Sequence, residues 1–147
     1  MNLLSKMHKQ KSCGAVVFKR QNNSVKYLLL HYEEGHWDFP KGKQEKDETE
    51  QQTAKREIKE ETGITDIIFI KDFKESMNYV FRYDDKVIYK EVIFFLAETS
   101  TEEINLSHEH IGYVWMTFEN TFSKLTFKNA KTILTKANQF LAKTPNI

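Results

Sequence analysis

Between Gly42 and Ile64 the chain gathers Glu48, Arg56, Glu57, Glu60 and Glu61 at spacings that one helix would turn into a single acidic surface. Thr49–Thr62 reads as that helix, with Asp47 as its N-cap and Gly63 as its stop. Glu57 and Glu61 then lie one turn apart with Glu60 beside them, while Ala54 and Ile58, followed by Ile64, are left for packing. Like charges at these spacings cost an isolated helix roughly 0.2–0.5 kcal/mol per pair. A cation is the simplest compensation. Hard carboxylate oxygens suit Mg²⁺ or Mn²⁺, and Mg²⁺ takes few carboxylates per ion, leaving positions for water and phosphate oxygens. The chemistry to expect is therefore phosphate chemistry.

The competing reading is a solvated face whose glutamates are neutralised by Lys55, Arg56 and Lys59. The spacing decides against it. The stretch satisfies G-x5-E-x7-R-E-U-x-E-E-x-G-U, U being aliphatic, through Gly42, Glu48, Arg56, Glu57, Ile58, Glu60, Glu61, Gly63 and Ile64. Its seven identities at fixed spacing arise by chance on the order of once in a billion windows. The pattern is the Nudix box, and the chain resembles the Nudix hydrolases from Ser12 to about Leu141. That resemblance implies a divalent cation held by Glu57, Glu60 and Glu61, with Arg56 and Glu48 orienting them. It also implies attack of metal-activated water on a nucleoside polyphosphate.

Three further runs narrow the resemblance towards the asymmetrical diadenosine tetraphosphate hydrolases. WDFPKG, ahead of the box, is similar to the approach segment of Nudix enzymes acting on dinucleoside polyphosphates and on RNA 5′ ends. It offers His36 and Lys41 to phosphates, and the carbonyl of Lys41 or Gly42 to the metal. FKESMNY places Tyr79 where those hydrolases carry a tyrosine, and Lys90 falls where they carry a lysine. SHEHIGYVW brings Glu109 as a fourth carboxylate, with His108 and His110 beside it as supporting groups. Phe127 stands where the resemblance puts an aromatic ring facing the tyrosine across an adenine. Substrate contacts are thus expected from His36, Lys41, Tyr79, Lys90 and Phe127. For Tyr79 and Phe127 the alternative is ordinary packing, and for Lys90 a solvated charge. A zinc site at His108 and His110 is not expected, because no further Cys or His lies near them in sequence.

The elements that must position these groups are legible as patterns. Ser12–Arg20 and Lys26–Tyr32 read as a hairpin, Thr65–Lys74, Ser76–Arg82 and Val87–Glu98 as strands, and Tyr113–Met116 as a short strand. The unbroken run VIFFLA predicts a strand covered on both faces. A short helical segment begins near Glu119. Phe127–Ala142 closes the chain as a helix burying Ala130, Ile133, Leu134, Ala137, Phe140 and Leu141. The fold class is α/β: a Nudix α/β/α sandwich with a mixed sheet between helices. One domain over 1–147 is expected, with residues 1–11 a flexible terminus.

Composition bounds the rest. A net charge of +1 gives no global attraction for nucleic acid, so the expected partner is a small dinucleoside polyphosphate, RNA 5′ ends being the one nucleic-acid alternative. A single cysteine, Cys13, excludes an internal disulfide, and no stretch has the length and hydropathy of a membrane span. A cytoplasmic monomer, with no membrane contact, is the expectation. A non-catalytic nucleotide sensor on the same fold is the other class, and the full set of box glutamates argues against it.

Overall fold

A computed structural model describes residues 8–144. The strands are β1 (His8–Gln21), β2 (Ser24–Tyr32), β3 (Trp37–Asp38), β4 (Lys41–Lys43), β5 (Ile68–Phe69), β6 (Glu75–Tyr83), β7 (Lys86–Glu98) and β8 (His110–Met116). The helices are α1 (Glu50–Thr62), α2 (Phe118–Lys124) and α3 (Lys128–Lys143). All eight strands join one mixed sheet. β1 lies parallel to β7 and antiparallel to β2 and β4, while β8 extends the sheet beyond β2 and β6 extends it beyond β7.

Strand alternation divides the apolar side chains between two layers. Val16, Phe18, Tyr27, Leu29, Val92, Phe94 and Leu96 meet Ala130, Ile133, Leu134 and Ala137 of α3. Cys13, Ala15, Val17, Leu28, Leu30, Ile93, Phe95 and Ala97 meet Ala54 and Ile58 of α1. Both faces of the central strands are therefore buried, which is why their sequences run apolar without a polar gap. Each fully buried Leu or Phe contributes about 1.5–3 kcal/mol relative to exposure. The α/β/α expectation holds, and Phe140 sits only partly buried at the margin of the α3 layer.

Local chemistry sets the boundaries. Asn22–Asn23 and Asp84–Asp85 all take positive φ (52° and 67°, 53° and 58°), as two-residue hairpin turns require, and Asn and Asp tolerate it best after glycine. The helix α1 is capped by Thr49, not Asp47. Thr49 Oγ1 accepts from Gln52 N–H, and Gln52 Oε1 accepts from Thr49 N–H, a capping box. Asp47 has φ of 69°, outside the extended backbone that an N-cap needs. Gly63 ends the helix at φ 79°, as expected.

The strand expected over Thr65–Lys74 shrinks to Ile68–Phe69. Asp66 turns its carboxylate to Thr99 Oγ1, Ser100 N–H and Thr101 Oγ1 instead of continuing a ladder, and Asp72 at φ 73° reverses the chain. At the other end β1 starts at His8, four residues before Ser12, with His8–Lys11 paired to Ile88–Glu91. Those four residues are sheet and not a flexible terminus; the remainder of the expected 1–11 segment lies outside the described residues.

Candidate active site

The acidic helix face is built around Arg56. Its Nε and Nη2 grip Glu48 at 2.7 and 3.0 Å, its Nη1 reaches Glu57 at 2.8 Å and Glu60 at 3.3 Å, and Nη2 also donates to Lys43 O at 2.8 Å. The planar fork explains why arginine and not lysine stands here: five directed donors serve four acceptor groups at once. The guanidinium holds the Glu48 carboxyl down at about 2, helped by Glu45 N–H and Thr53 Oγ1.

Glu57 and Glu61 are the two most enclosed carboxylates of the helix. Burial raises both, Glu57 against the pull of Arg56, and Glu61 is pushed up to about 8 by burial and by the neighbouring Glu57 charge. Glu61 is 4% exposed. Its Oε1 accepts from Lys41 N–H at 3.3 Å and lies 3.7 Å from His110 Nε2, and burial lowers the pKa of that ring. Gly42 lets the approach segment lie against the helix, since a Cβ there would sit 2.0–2.3 Å from the Glu57 carboxyl group.

These groups fit a divalent cation. Two carboxyl groups raised by burial and by neighbouring carboxylates gain most from a positive charge that lets both ionise, and all the donors are hard oxygens. Among the described residues, no group of three His, Cys, Asp or Glu side chains already converges on one such position. Arg56 instead draws Glu57 and Glu60 towards Glu48, so those two carboxylates must rotate to share an ion with Glu61.

Two cavities adjoin this face and share His36 and Lys41. One, of about 330 Å³, lies beside Glu109 and is lined also by Tyr32, Glu33 and Glu34. The other, of about 440 Å³, is lined also by Asp38, Met77, Tyr79, Phe127 and Asn129. Tyr79 and Phe127 are 39% and 47% exposed, a large apolar area to leave open without a ligand. Tyr79 comes from β6, and Phe127 is the residue immediately before α3, with its ring 5.3 Å from that of His36. Lys90 is not in the cavity wall. It pairs with Tyr79 across β7 and β6 and feels the charges of Lys41, Lys43 and Asp38; burial, then Lys41, lowers it to about 8.

Two residues went unnoticed in the sequence. Tyr32 stands between the cavities, stacked on His36 at 4.4 Å, under Lys41 Nζ at 5.6 Å and edge-on to His110 at 4.4 Å, its hydroxyl donating to Phe39 O. Asp38 is 2% exposed in the wall of the larger cavity, its Oδ1 accepting from Phe39 N–H and its Oδ2 3.9 Å from Lys41 Nζ. An acid inside WDFPKG was the available signal for Asp38; nothing in the local sequence marks Tyr32. Trp37 takes no part, being stacked on His31 at 4.2 Å with Lys124 over its ring.

The profile of the NUDIX domain matches residues 8–136. The chain belongs to the Nudix family. Among Nudix relatives, the asymmetrical bis(5′-nucleosyl)-tetraphosphatase of Mus musculus is 37% identical over 92% of this chain and 97% of its own length. The mRNA-decapping protein g5R of African swine fever virus is 36% identical over 66% of this chain but only 38% of its own length. In three dimensions, a binary complex of the C. elegans Ap4A hydrolase superposes with a TM-score of 0.82 at 30% identity, covering 92% of this chain and 99% of that one.

Proposed function

We propose that this Nudix protein hydrolyses diadenosine tetraphosphate asymmetrically, to ATP and AMP, with Mg²⁺ or Mn²⁺ as its cation. The observation that carries the reading is the joining of an aromatic cavity to the cavity beside Glu109 through two groups common to both, His36 and Lys41, the second of which donates its backbone N–H to Glu61. A base in the first cavity would trail its phosphates past those groups towards the carboxylates. The tetraphosphatase relatives, similar over almost the whole chain, support the same substrate.

Glu57, Glu60, Glu61 and Glu109, with the carbonyl oxygens of Lys41 or Gly42, would hold a divalent cation, which would supply positive charge against phosphate oxygens and acidify water. The chain does the rest. Lys41 and Lys90 draw the polyphosphate along its path and His36 hydrogen-bonds it, while Tyr79 and Phe127 stack on one base, a contact of roughly 1–3 kcal/mol. Glu61, pushed up to about 8, is poised to exchange a proton near neutral pH, and burial raises Glu57 as well. Arg56 and Glu48 fix the rotamers of the glutamates around them. We place this activity in a cytoplasmic monomer; the only cysteine is a buried free thiol, in keeping with a reducing compartment.

The test is hydrolysis of diadenosine tetraphosphate with Mg²⁺ in ¹⁸O-labelled water, with products resolved by chromatography and the label located by mass spectrometry. ATP and AMP, with label in one of them, is the expected outcome; two ADP molecules would refute the asymmetrical cut. A second reading, removal of 5′-terminal nucleotide phosphates from RNA, is favoured by the similarity to the viral decapping protein. Faster turnover of capped or triphosphorylated RNA than of the dinucleotide would establish it.

A further inference from the structure

Among the described residues His110 Nε2 is the buried side-chain nitrogen or oxygen that finds no hydrogen-bond partner. Its ring is wholly enclosed, and 3.7 Å away lies Glu61 Oε1. A buried N–H without an acceptor is costly enough that native structures rarely keep one without a use. The other ring nitrogen explains which proton is involved. Ser107 Oγ lies 3.0 Å from His110 Nδ1 and already accepts from Glu109 N–H at 3.4 Å. The single hydroxyl proton of Ser107 has no other acceptor among the described residues and can point at Nδ1; that arrangement makes Nδ1 an acceptor and leaves the proton of the neutral imidazole on Nε2, facing Glu61.

We infer that His110 is a positioning residue, locked by Ser107 as its Nε2–H tautomer so that it fixes Oε1 of Glu61 and ties that carboxylate to the loop carrying Glu109. The geometry supports the tie from several sides. The backbone of the same loop is already bound to the end of α1, with Ser107 N–H donating to Glu61 O at 3.3 Å and Asn105 N–H to Thr62 O at 2.9 Å. Oε1 of Glu61 accepts from Lys41 N–H at 3.3 Å, and the His110 ring faces the same oxygen from just beyond hydrogen-bond distance, so both donors lie on the Oε1 side of the carboxylate. Edge-on packing against Tyr32 fixes the plane of the imidazole. The relay runs from the amide of Glu109 through the hydroxyl of Ser107 and the ring of His110 to the carboxylate of Glu61. Two carboxylates far apart in sequence are thereby kept in register. The purpose of that register rests on the metal-dependent hydrolase reading above; the tautomer lock does not.

The test uses the full chain labelled with ¹⁵N-histidine, in which long-range ¹H–¹⁵N spectra report the tautomer of each ring, and Mn²⁺ titrations followed by water-proton relaxation. In the wild type His110 should show a protonated Nε2 and a bare Nδ1. Ser107→Ala should release the lock into a mixture of tautomers and weaken Mn²⁺ binding about 10- to 100-fold, the usual loss for a residue supporting a metal ligand. His110→Phe, which keeps the ring volume but not the donor, should lose as much, and His110→Gln, which keeps a donor, should recover most of it. A wild-type ring protonated on Nδ1, or on both nitrogens at neutral pH, would overturn the proposal, as would Mn²⁺ affinity unchanged in both Ser107→Ala and His110→Phe. Should His110→Phe fail to fold, Ser107→Ala decides alone. The spectrum needs neither cation nor substrate, so its result stands independently of the hydrolase reading.

Discussion

The two halves of the site are held by different means. On the acidic face Glu48 and Glu61 are held by directed bonds: Glu48 takes donors from Arg56, Glu45 and Thr53, and the buried Glu61 accepts from Lys41 N–H. In the aromatic cavity Tyr79 and Phe127 stand half open, on the outermost strand of the sheet and at the start of α3, and their surroundings are apolar contacts without direction. The contrast suits a division of labour. Charge development at phosphorus needs groups placed before the reaction begins, whereas a stacked base needs only a flat apolar surface. Damage on the first side should therefore appear in kcat and on the second in KM.

Glu61→Gln is the sharpest way to break that contrast. The amide preserves shape and can still accept from Lys41 N–H, but it cannot carry charge or take a proton. Turnover should fall at least about 1,000-fold, the scale of losing one preorganised electrostatic group, while the melting temperature holds or rises, because a buried carboxyl shifted to about 8 has been removed. Steady-state hydrolysis and thermal unfolding of the same preparation check both halves. Retained turnover would remove Glu61 from the chemistry.

Arg56→Lys should come next, with kcat down about 10- to 100-fold, since a point charge cannot replace bonds to Glu48, Glu57 and Glu60 together. It also carries a pH signature. Glu48 is depressed from 4.5 to about 2 in the folded protein, so the stability it lends is complete above pH 4.5 and disappears as pH falls through about 2. Arg56→Lys should bring Glu48 back towards its ordinary range and move acid unfolding to higher pH, read by circular dichroism against pH. Coincident acid transitions in the two proteins would mean that the Arg56–Glu48 pair is not what resists acid.

On the other side of the comparison, Tyr79→Ala and Phe127→Ala should each raise KM by about 5- to 150-fold with kcat near the wild type, matching the range for one stacking partner. Replacing adenine by another base in the substrate should cost little, because stacking alone does not read a base edge. If either alanine variant loses kcat instead, the cavity is positioning the scissile phosphate and the two halves are not separable.

How far each half could be read from sequence follows the same line. Glu48, Arg56, Glu57, Glu60 and Glu61 were legible because one helix and its approach carry them all, and helix geometry converts spacing directly into a shared face. Even there the cap was misplaced by two residues, since Asp47 and Thr49 are both plausible caps and only the backbone angle at Asp47 excludes it. Tyr32 was illegible, and Asp38 was marked only by its place in WDFPKG, because their positions depend on β3 pairing with β2 and on the approach segment folding back, which are long-range events. The strand expected over Thr65–Lys74 failed for a related reason: Asp66 found partners in Thr99, Ser100 and Thr101, over thirty residues away.

Lys90, paired with Tyr79 across β6 and β7 and outside the cavity wall, gives the smallest and most discriminating effect. Burial and the neighbouring Lys41 and Lys43 lower its ammonium from 10.5 to about 8. Between those two values the unfolded chain holds the proton and the folded chain does not, so stability rises with pH across that window, and at pH 7 the full penalty is present. Lys90→Met keeps the buried stem and removes the charge. It should stabilise the protein at pH 7 by about 2 kcal/mol, after allowing for partial exposure, and the gain should vanish above pH 10.5. Urea unfolding at pH 7 and at the alkaline end checks the sign. The same variant should raise KM a few-fold, with kcat held, as the polyphosphate loses one cation. A variant both more stable and weaker in binding would show that the fold tolerates a destabilised cation here because the anionic ligand offsets the repulsion from Lys41 and Lys43; a more stable variant with unchanged KM would assign Lys90 to neither half of the site.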